Sequence, residues 1–261
     1  MTRSAITMTI YDVDHYSDAE REAIIASYPE HEREARANGV PTLGSGKIFT
    51  VAESSIEFDG DGFSPPAHWP IIAGIDFGID HYTAVAWLAW DREADCTYLY
   101  DALRVRGVPA ATPEEVAPLI LLRGAWVPVA WPADGLQTEK GSGMQLAEIY
   151  RTHKVNMAFE PARLPETGAD DEQKMSRVSV EAGVMEMLIA MKAGRFKVAK
   201  HLNDWWEEMR TYHRKEGKIV REHDDLISAV RYAWVMRRIA IVAPPPRPDV
   251  VARKPYDWRA G

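Results

Sequence analysis

The chain has little that would tie it to a membrane, an oxidising compartment or a nucleotide. Its apolar runs are short: Ile239–Ala243 is five residues, against the roughly 20 that a bilayer-spanning helix needs. The first ten residues carry one arginine and no apolar stretch long enough for a secretory signal. Cys96 is the only cysteine, so an internal disulfide and a cysteine-based zinc site are both excluded. These absences together lead us to expect a reducing cytoplasm. A phosphate-binding loop is missing too. Gly44-Ser45-Gly46-Lys47 ends like one, but the full pattern needs Gly at 41 and Ser or Thr at 48, where the chain has Pro41 and Ile48.

Positive charge is in short supply. The 31 Lys and Arg stand against 39 Asp and Glu, a net charge of −8, whereas proteins that hold DNA by unspecific phosphate contacts usually carry the opposite sign. The average hides a local reversal. From Lys192 to Arg221 there are nine Lys or Arg and four acids, a stretch that is either a phosphate-contacting face or a solvated one.

What is present suits one good-sized domain with an appendage, or two small domains: 261 residues, 46% hydrophobic and 27% charged. Ser17-Asp18-Ala19-Glu20 forms a capping box that opens a helix to about Ser27, and Glu30 to Asn38 reads as a second short helix ending at Gly39. Residues 52–68, with Gly60, Gly62, Pro65 and Pro66, read as a polar connector. From Pro70 the pattern becomes strand-like. Ile71–Ile75, Thr83–Trp90 and Thr97–Arg104 are apolar, β-branched and aromatic runs separated by short polar loops, which predicts an antiparallel meander. Thr112-Pro113-Glu114-Glu115 opens a helix. A fourth strand follows at Val127–Trp131, a helix at Met144–His153 and a fifth strand at Val155–Phe159. Residues 160–178 read as a loop, Val180–Met191 as an amphipathic helix, Arg195–Ala199 as extended, and Leu202–Tyr212 as a Trp-rich helix. Lys218–Val220 reads as a short strand, and Asp224–Arg238 is the last strong helix before Pro244-Pro245-Pro246. The order predicts an α/β fold with a mixed sheet.

Three acidic positions stand out by where they fall. Asp76 ends the first apolar strand, Asp134 follows the fourth, and Asp224-Asp225 opens the last helix. Singly each has a plain reading: a strand-end turn, an Asp-Gly turn, a helix cap. As a set they are what a metal-dependent nuclease needs: acids converging on one sheet edge would repel unless a cation sat among them, and hard oxygens select magnesium or manganese.

The stretches Gly74-Ile75-Asp76-Phe77-Gly78-Ile79-Asp80-His81, Trp131-Pro132-Ala133-Asp134-Gly135-Leu136-Gln137, Lys140-Gly141-Ser142-Gly143, Tyr212-His213-Arg214-Lys215 and Asp224-Asp225-Leu226-Ile227-Ser228-Ala229-Val230-Arg231-Tyr232-Ala233 occur in this order. They resemble the nuclease domain of tailed-phage terminase large subunits over roughly residues 70–240. Tyr28–Arg36 and Leu43–Phe49 are similar to the segment joining that family's ATPase to its nuclease. The resemblance implies a ribonuclease H-like mixed sheet, an antiparallel three-strand meander plus parallel strands, flanked by helices. It divides the chain into 1–69, a remnant of the ATPase-to-nuclease connection; 70–240, the nuclease; and 241–261, a loose tail, with no ATPase in this chain. It implies endonucleolytic cutting of concatemeric double-stranded phage DNA in the host cytoplasm, with the portal protein and small terminase subunit as partners. Two Mg²⁺ or Mn²⁺ ions roughly 4 Å apart would serve the hydrolysis, held by Asp76, Asp134 and Asp225, with Asp224 contending for the third place and Asp80 as an extra ligand. Lys140, Arg214, Lys215 and Lys218 are the implied DNA contacts.

Two other readings compete. An actin-like or sugar-kinase ATPase also places Asp-x-Gly after its first strand, but it needs a second Gly-rich phosphate loop, an adenosine-binding Gly-Gly and a longer chain. A docking module of the packaging motor with a dead nuclease would not need the acidic set.

Overall fold

The computed structural model describes residues 8–28, 33, 36–39, 46–78, 82–106, 111–138, 143–163 and 172–244, with side chains for all of these but 172–179. Ser17 starts the first helix as its spacing to Glu20 predicts: the Ser17 amide donates to the Glu20 carboxylate at 2.8 Å, and the Glu20 amide donates to Ser17 Oγ at 3.4 Å. Helix α1 spans Asp18–Ser27 and buries none of its residues. The second expected helix, Glu30 to Asn38, lies largely outside the described residues.

The stretch read as a polar connector contributes to the core instead. It holds α2 (Glu53–Ile56) and β1 (Glu57–Phe58); Ile56 is buried and Phe58 packs against the core, beside the buried Ile48, Phe49 and Val51 that precede the stretch. These apolar residues are scattered among polar ones, so no period announces them.

The meander forms as expected. Strands β2 (Ile71–Asp76), β3 (Thr83–Asp91) and β4 (Cys96–Val105) pair antiparallel in sequence order. The polar turn between β3 and β4 closes on Asp91, whose carboxylate accepts from the amides of Glu93 and Ala94. Helix α3 (Pro113–Leu121) follows, its entry fixed by the Thr112 amide donating to Glu115 at 3.0 Å. Then come β5 (Val129–Ala130), α4 (Leu146–Thr152), α5 (Glu172–Lys192), β6 (Phe196–Ala199) and α6 (Asn203–Thr211). The hairpin β7 (Arg214–Lys215) and β8 (Lys218–Ile219) leads into α7 (Asp225–Val235). The six-stranded sheet runs β1-β6-β4-β3-β2-β5, with β1–β6, β6–β4 and β5–β2 parallel.

Four expectations are corrected in detail. The fourth strand shrinks to Val129–Ala130, and the fifth, Val155–Phe159, is no strand but a single bridge between Met157 and Val129. Val129 exchanges backbone bonds with Asn156 and Ala158 there, and beyond that rung Trp131 Nε1 and Arg151 donate to the Ala158 carbonyl in place of a continuing ladder. Helix α5 begins at Glu172, eight residues before the expected start, and so takes the end of the presumed loop. The last helix stops at Val235 and continues as a 3₁₀ turn, Arg237–Ile239.

Two cores flank the sheet. One lies under α5, α6 and α7, with Ile72, Ala84, Ala86, Leu99, Phe196, Trp205, Leu226 and Val230 among its residues. The other lies under α3 and α4, with Ala73, Ile75, Val85, Trp87, Ile120 and Tyr150. Trp205 is fully buried and Trp206 nearly so, which makes both core residues. Helix α7 presses directly onto β2. A Cβ added at Gly74 would collide with the Ala229 carbonyl and stand 2.8 Å from the Ala233 amide nitrogen, so only glycine lets backbone meet backbone here. Among the described residues no helix is long and apolar enough to cross a membrane.

Candidate active site

Alternation along β2 sorts its side chains. Ile71, Ala73, Ile75 and Phe77 belong to the core beneath α3 and α4, while Ile72 faces the opposite core. Gly74 and Asp76 share the parity of Ile72, so Asp76 ends the row that faces α7. Helix α7 runs against β2: the chain leaving its C-terminal end brings Ile241 to pair with Ile71, at the start of β2. The N-terminal end of α7, with Asp225 as its first residue, therefore lies toward Asp76.

Strand β5 runs parallel to β2 with Gly74 opposite Ala130. Asp134 follows on a 3₁₀ turn, Ala133–Leu136, whose Gly135 packs so tightly that a Cβ would meet the rings of Trp131 and Phe77. Phe77 is the neighbour of Asp76, so the turn bearing Asp134 sits beside the strand end bearing Asp76. Tyr232, two turns along α7 from Asp225, links the elements electrostatically. Burial pushes its hydroxyl up to about 12, and the charges of both Asp76 and Asp134 add to the rise.

The three acids differ in exposure: Asp134 is exposed, Asp76 half-buried, and Asp225 buried at 6%. Asp224 is half-buried. Its carboxyl is raised by burial and then by the neighbouring Asp225, against the opposing pull of Arg231. An all-carboxylate donor set is of the chemical type that takes a hard divalent cation. Among the described residues no three His, Cys, Asp or Glu side chains are arranged ready-made to hold an ion. Asp80 and His81 lie outside the described residues, as does Lys140.

The implied DNA contacts fall into two kinds. Lys215 and Lys218 are exposed on the β7–β8 hairpin, which precedes α7 by five residues. Arg214 is committed elsewhere: its guanidinium makes a bidentate pair with Glu181 of α5 at 2.5 Å. His213 Nδ1 lies 2.8 Å from the Thr211 carbonyl, and His223 is exposed with φ 55°.

Sequence reasoning missed Glu208 and Arg104. Glu208 is 2% exposed and takes the amides of Leu226 and Ile227 at 2.8 and 3.0 Å, along with Arg104 at 3.2 Å. Burial pushes its carboxyl up to about 8 and nearby Asp225 adds to the rise; the Ile227 amide, Arg104 and the Leu226 amide pull the other way. The available signal was positional. Glu208 shares the buried face of a helix with Trp205 and Met209, where an acid needs a partner.

Comparison with known proteins agrees with this architecture. Residues 73–237 match the terminase RNaseH-like domain family, and residues 1–56 match the N-terminal family of the T4likevirus-type terminase large subunit. The terminase large subunit of Salmonella phage P22 is 42% identical over 240 residues, 92% of this chain and 45% of that one. The chain thus spans about half the length of the curated relatives it matches. The solved P22 large terminase nuclease domain superposes with a TM-score of 0.65 at 37% identity, covering 77% of this chain and 97% of that one. A large terminase nuclease from a thermophilic phage, solved with bound cobalt, shares the fold at a TM-score of 0.50 and 16% identity, over 74% of this chain and 98% of that one. The chain belongs to the terminase large-subunit family and carries its ribonuclease H-like nuclease domain.

Proposed function

We propose that this chain is a divalent-metal-dependent endonuclease that hydrolyses phosphodiester bonds of double-stranded phage DNA during packaging. The observation that carries the reading is the meeting of Asp76, the Asp134 turn and the start of α7 at one sheet edge, with Tyr232 in electrostatic reach of both Asp76 and Asp134. The likeness to a solved terminase nuclease domain supports it, and so does a relative of the same fold that was solved with a divalent cation.

In this reading Asp76, Asp134 and Asp225 hold Mg²⁺ or Mn²⁺, with Asp224 the contender for the third place and Asp80 an extra ligand. Bound there, a pair of such ions supplies an activated water and neutralises charge on the leaving oxygen. Burial of Asp225 keeps competing water from its carboxylate. Lys215 and Lys218 attract the DNA backbone from the neighbouring hairpin. Concatemeric DNA as substrate, the host cytoplasm as location, and the portal protein and small terminase subunit as partners belong to the same proposal.

Asp134→Asn tests it. The side chain is exposed on a short turn, so the substitution is expected to leave the melting temperature and DNA binding unchanged while plasmid nicking in Mg²⁺ or Mn²⁺ falls to background. Wild-type nicking by the variant would remove Asp134 from the site. A wild-type chain that binds DNA but fails to cut it with every divalent metal tried would favour a docking module instead.

A further inference from the structure

We propose that Glu208, paired with Arg104, is a positioning residue that holds the first turn of α7, and with it Asp225, over the sheet row that ends in Asp76; the inference rests on the metal-site reading above. The first amides of any α-helix lack partners within the helix and need an acceptor from outside. Asp224 occupies the N-cap position of α7 and is of a residue type suited to capping, yet its side chain makes no capping bond. Its carboxylate instead accepts from Ser228 Oγ at 3.4 Å. The capping falls to Glu208, from a different helix: one carboxylate oxygen accepts from the Leu226 amide at 2.8 Å and the Ile227 amide at 3.0 Å.

The other oxygen of Glu208 accepts from Arg104 at 3.2 Å. The register places Arg104 opposite Ala84 on β3, and Ala84 opposite Asp76 on β2. Asp76, Ala84 and Arg104 thus form one cross-strand row on one face of the sheet. A single buried carboxylate therefore ties the start of α7 to the same row that supplies Asp76. Arg104 is itself held, by Asp204 at 3.0 Å and by stacking on Tyr82 at 4.6 Å. Burying an acid next to Asp225 costs stability, whereas a capping Asp224 would have satisfied the helix without it. The arrangement instead leaves both acids of the pair out of the capping role and fixes their height above the sheet.

The experiment measures Mn²⁺ binding by electron paramagnetic resonance on the full chain, alongside thermal melting. Glu208→Ala is expected to weaken Mn²⁺ binding at least ~10-fold, the size of effect seen when a group that orients a metal ligand is lost. Glu208→Gln keeps an oxygen for the two amides but turns its NH2 toward Arg104, so it is expected to bind Mn²⁺ more weakly than the wild type and more tightly than Glu208→Ala. A merely structural role would lower the melting temperature of Glu208→Ala but leave the Mn²⁺ affinity of its folded fraction unchanged, and that result overturns the proposal. If Glu208→Ala fails to fold, Arg104→Met decides, because it keeps the capping bonds and releases the carboxylate from the sheet. Weaker Mn²⁺ binding by that variant supports the inference, and unchanged binding overturns it. Asp76→Asn separates the two levels. If the wild type takes up no Mn²⁺, or Asp76→Asn binds it as the wild type does, the metal-site reading falls and this inference with it. If those controls behave as expected and only the Glu208 and Arg104 variants are silent, this inference alone fails.

Discussion

Replacing Gly74 by alanine adds one methyl group to the chain and disturbs the site two residues away. The new Cβ would overlap the Ala229 carbonyl oxygen and approach the Ala233 nitrogen to 2.8 Å, inside the 3.0 Å that real Cβ atoms essentially never cross. Both obstacles are helix backbone, so no side chain can swing aside. Helix α7 must retreat from β2. Overpacking of this kind costs about 1–3 kcal/mol, and we take the upper end because the clash is with backbone. Alanine recovers roughly 0.5–1 kcal/mol relative to glycine in a strand, which leaves a net loss of about 2 kcal/mol. For a chain of this size the melting temperature is expected to fall by about 4–8 °C. The larger effect is on cutting. Retreat carries Asp225 away from Asp76, and a misplacement of about 1 Å at a reacting centre costs on the order of 10²-fold in rate. Plasmid nicking in Mn²⁺ at a temperature where the variant is still folded measures this directly. Wild-type melting and wild-type nicking together would refute the argument. So would rescue by Ala229→Gly, because that second change removes a methyl group and leaves the obstructing carbonyl in place.

Two further outcomes follow from the charges. Reversing both exposed lysines of the hairpin, Lys215→Glu with Lys218→Glu, is expected to weaken DNA binding and flatten its dependence on salt by about two phosphate contacts; an unchanged salt slope would make this a solvated face. Stability without metal is expected to decline as pH rises from about 5 to 8. Glu208, raised to about 8, and Asp224, also raised, bind protons more tightly folded than unfolded, so their contribution is fullest below the unfolded carboxyl range and is lost as pH climbs through the folded values. The lowered carboxyls of Asp12, Glu20, Asp95 and Glu114 act in the opposite sense, but below that window. Melting curves at several pH values, with a chelator present, check this. A melting temperature that stays flat or rises between pH 5 and 8 would contradict it.

Much of this protein could be read in one dimension because its signals are local. The apolar runs that became β2, β3 and β4, the capping box of α1, and the proline-led start of α3 each depend on residues a few positions apart. Local placement likewise singled out Asp76 at a strand end and the Asp224-Asp225 pair at a helix start. What lay beyond reach depends on partners distant in sequence. Two-residue β1 joins the sheet only because β6, some 140 positions later, offers it an edge. The segment Val155–Phe159 has strand-like composition, but Trp131 and Arg151 claim its carbonyl at Ala158 before a ladder can extend. Arg214 looks like a phosphate contact until Glu181 is brought beside it. Glu208 is one acid among 39 carboxylate residues until folding buries it under the first turn of α7. Sequence by itself determined the three meander strands, the starts of α1, α3 and α7, and the acids that stand at the end of β2 and the start of α7, because those choices are settled by neighbouring residues. Only the tertiary structure decided which charges pair with one another, because these ion pairs and buried hydrogen bonds join residues between 18 and 104 positions apart in the chain.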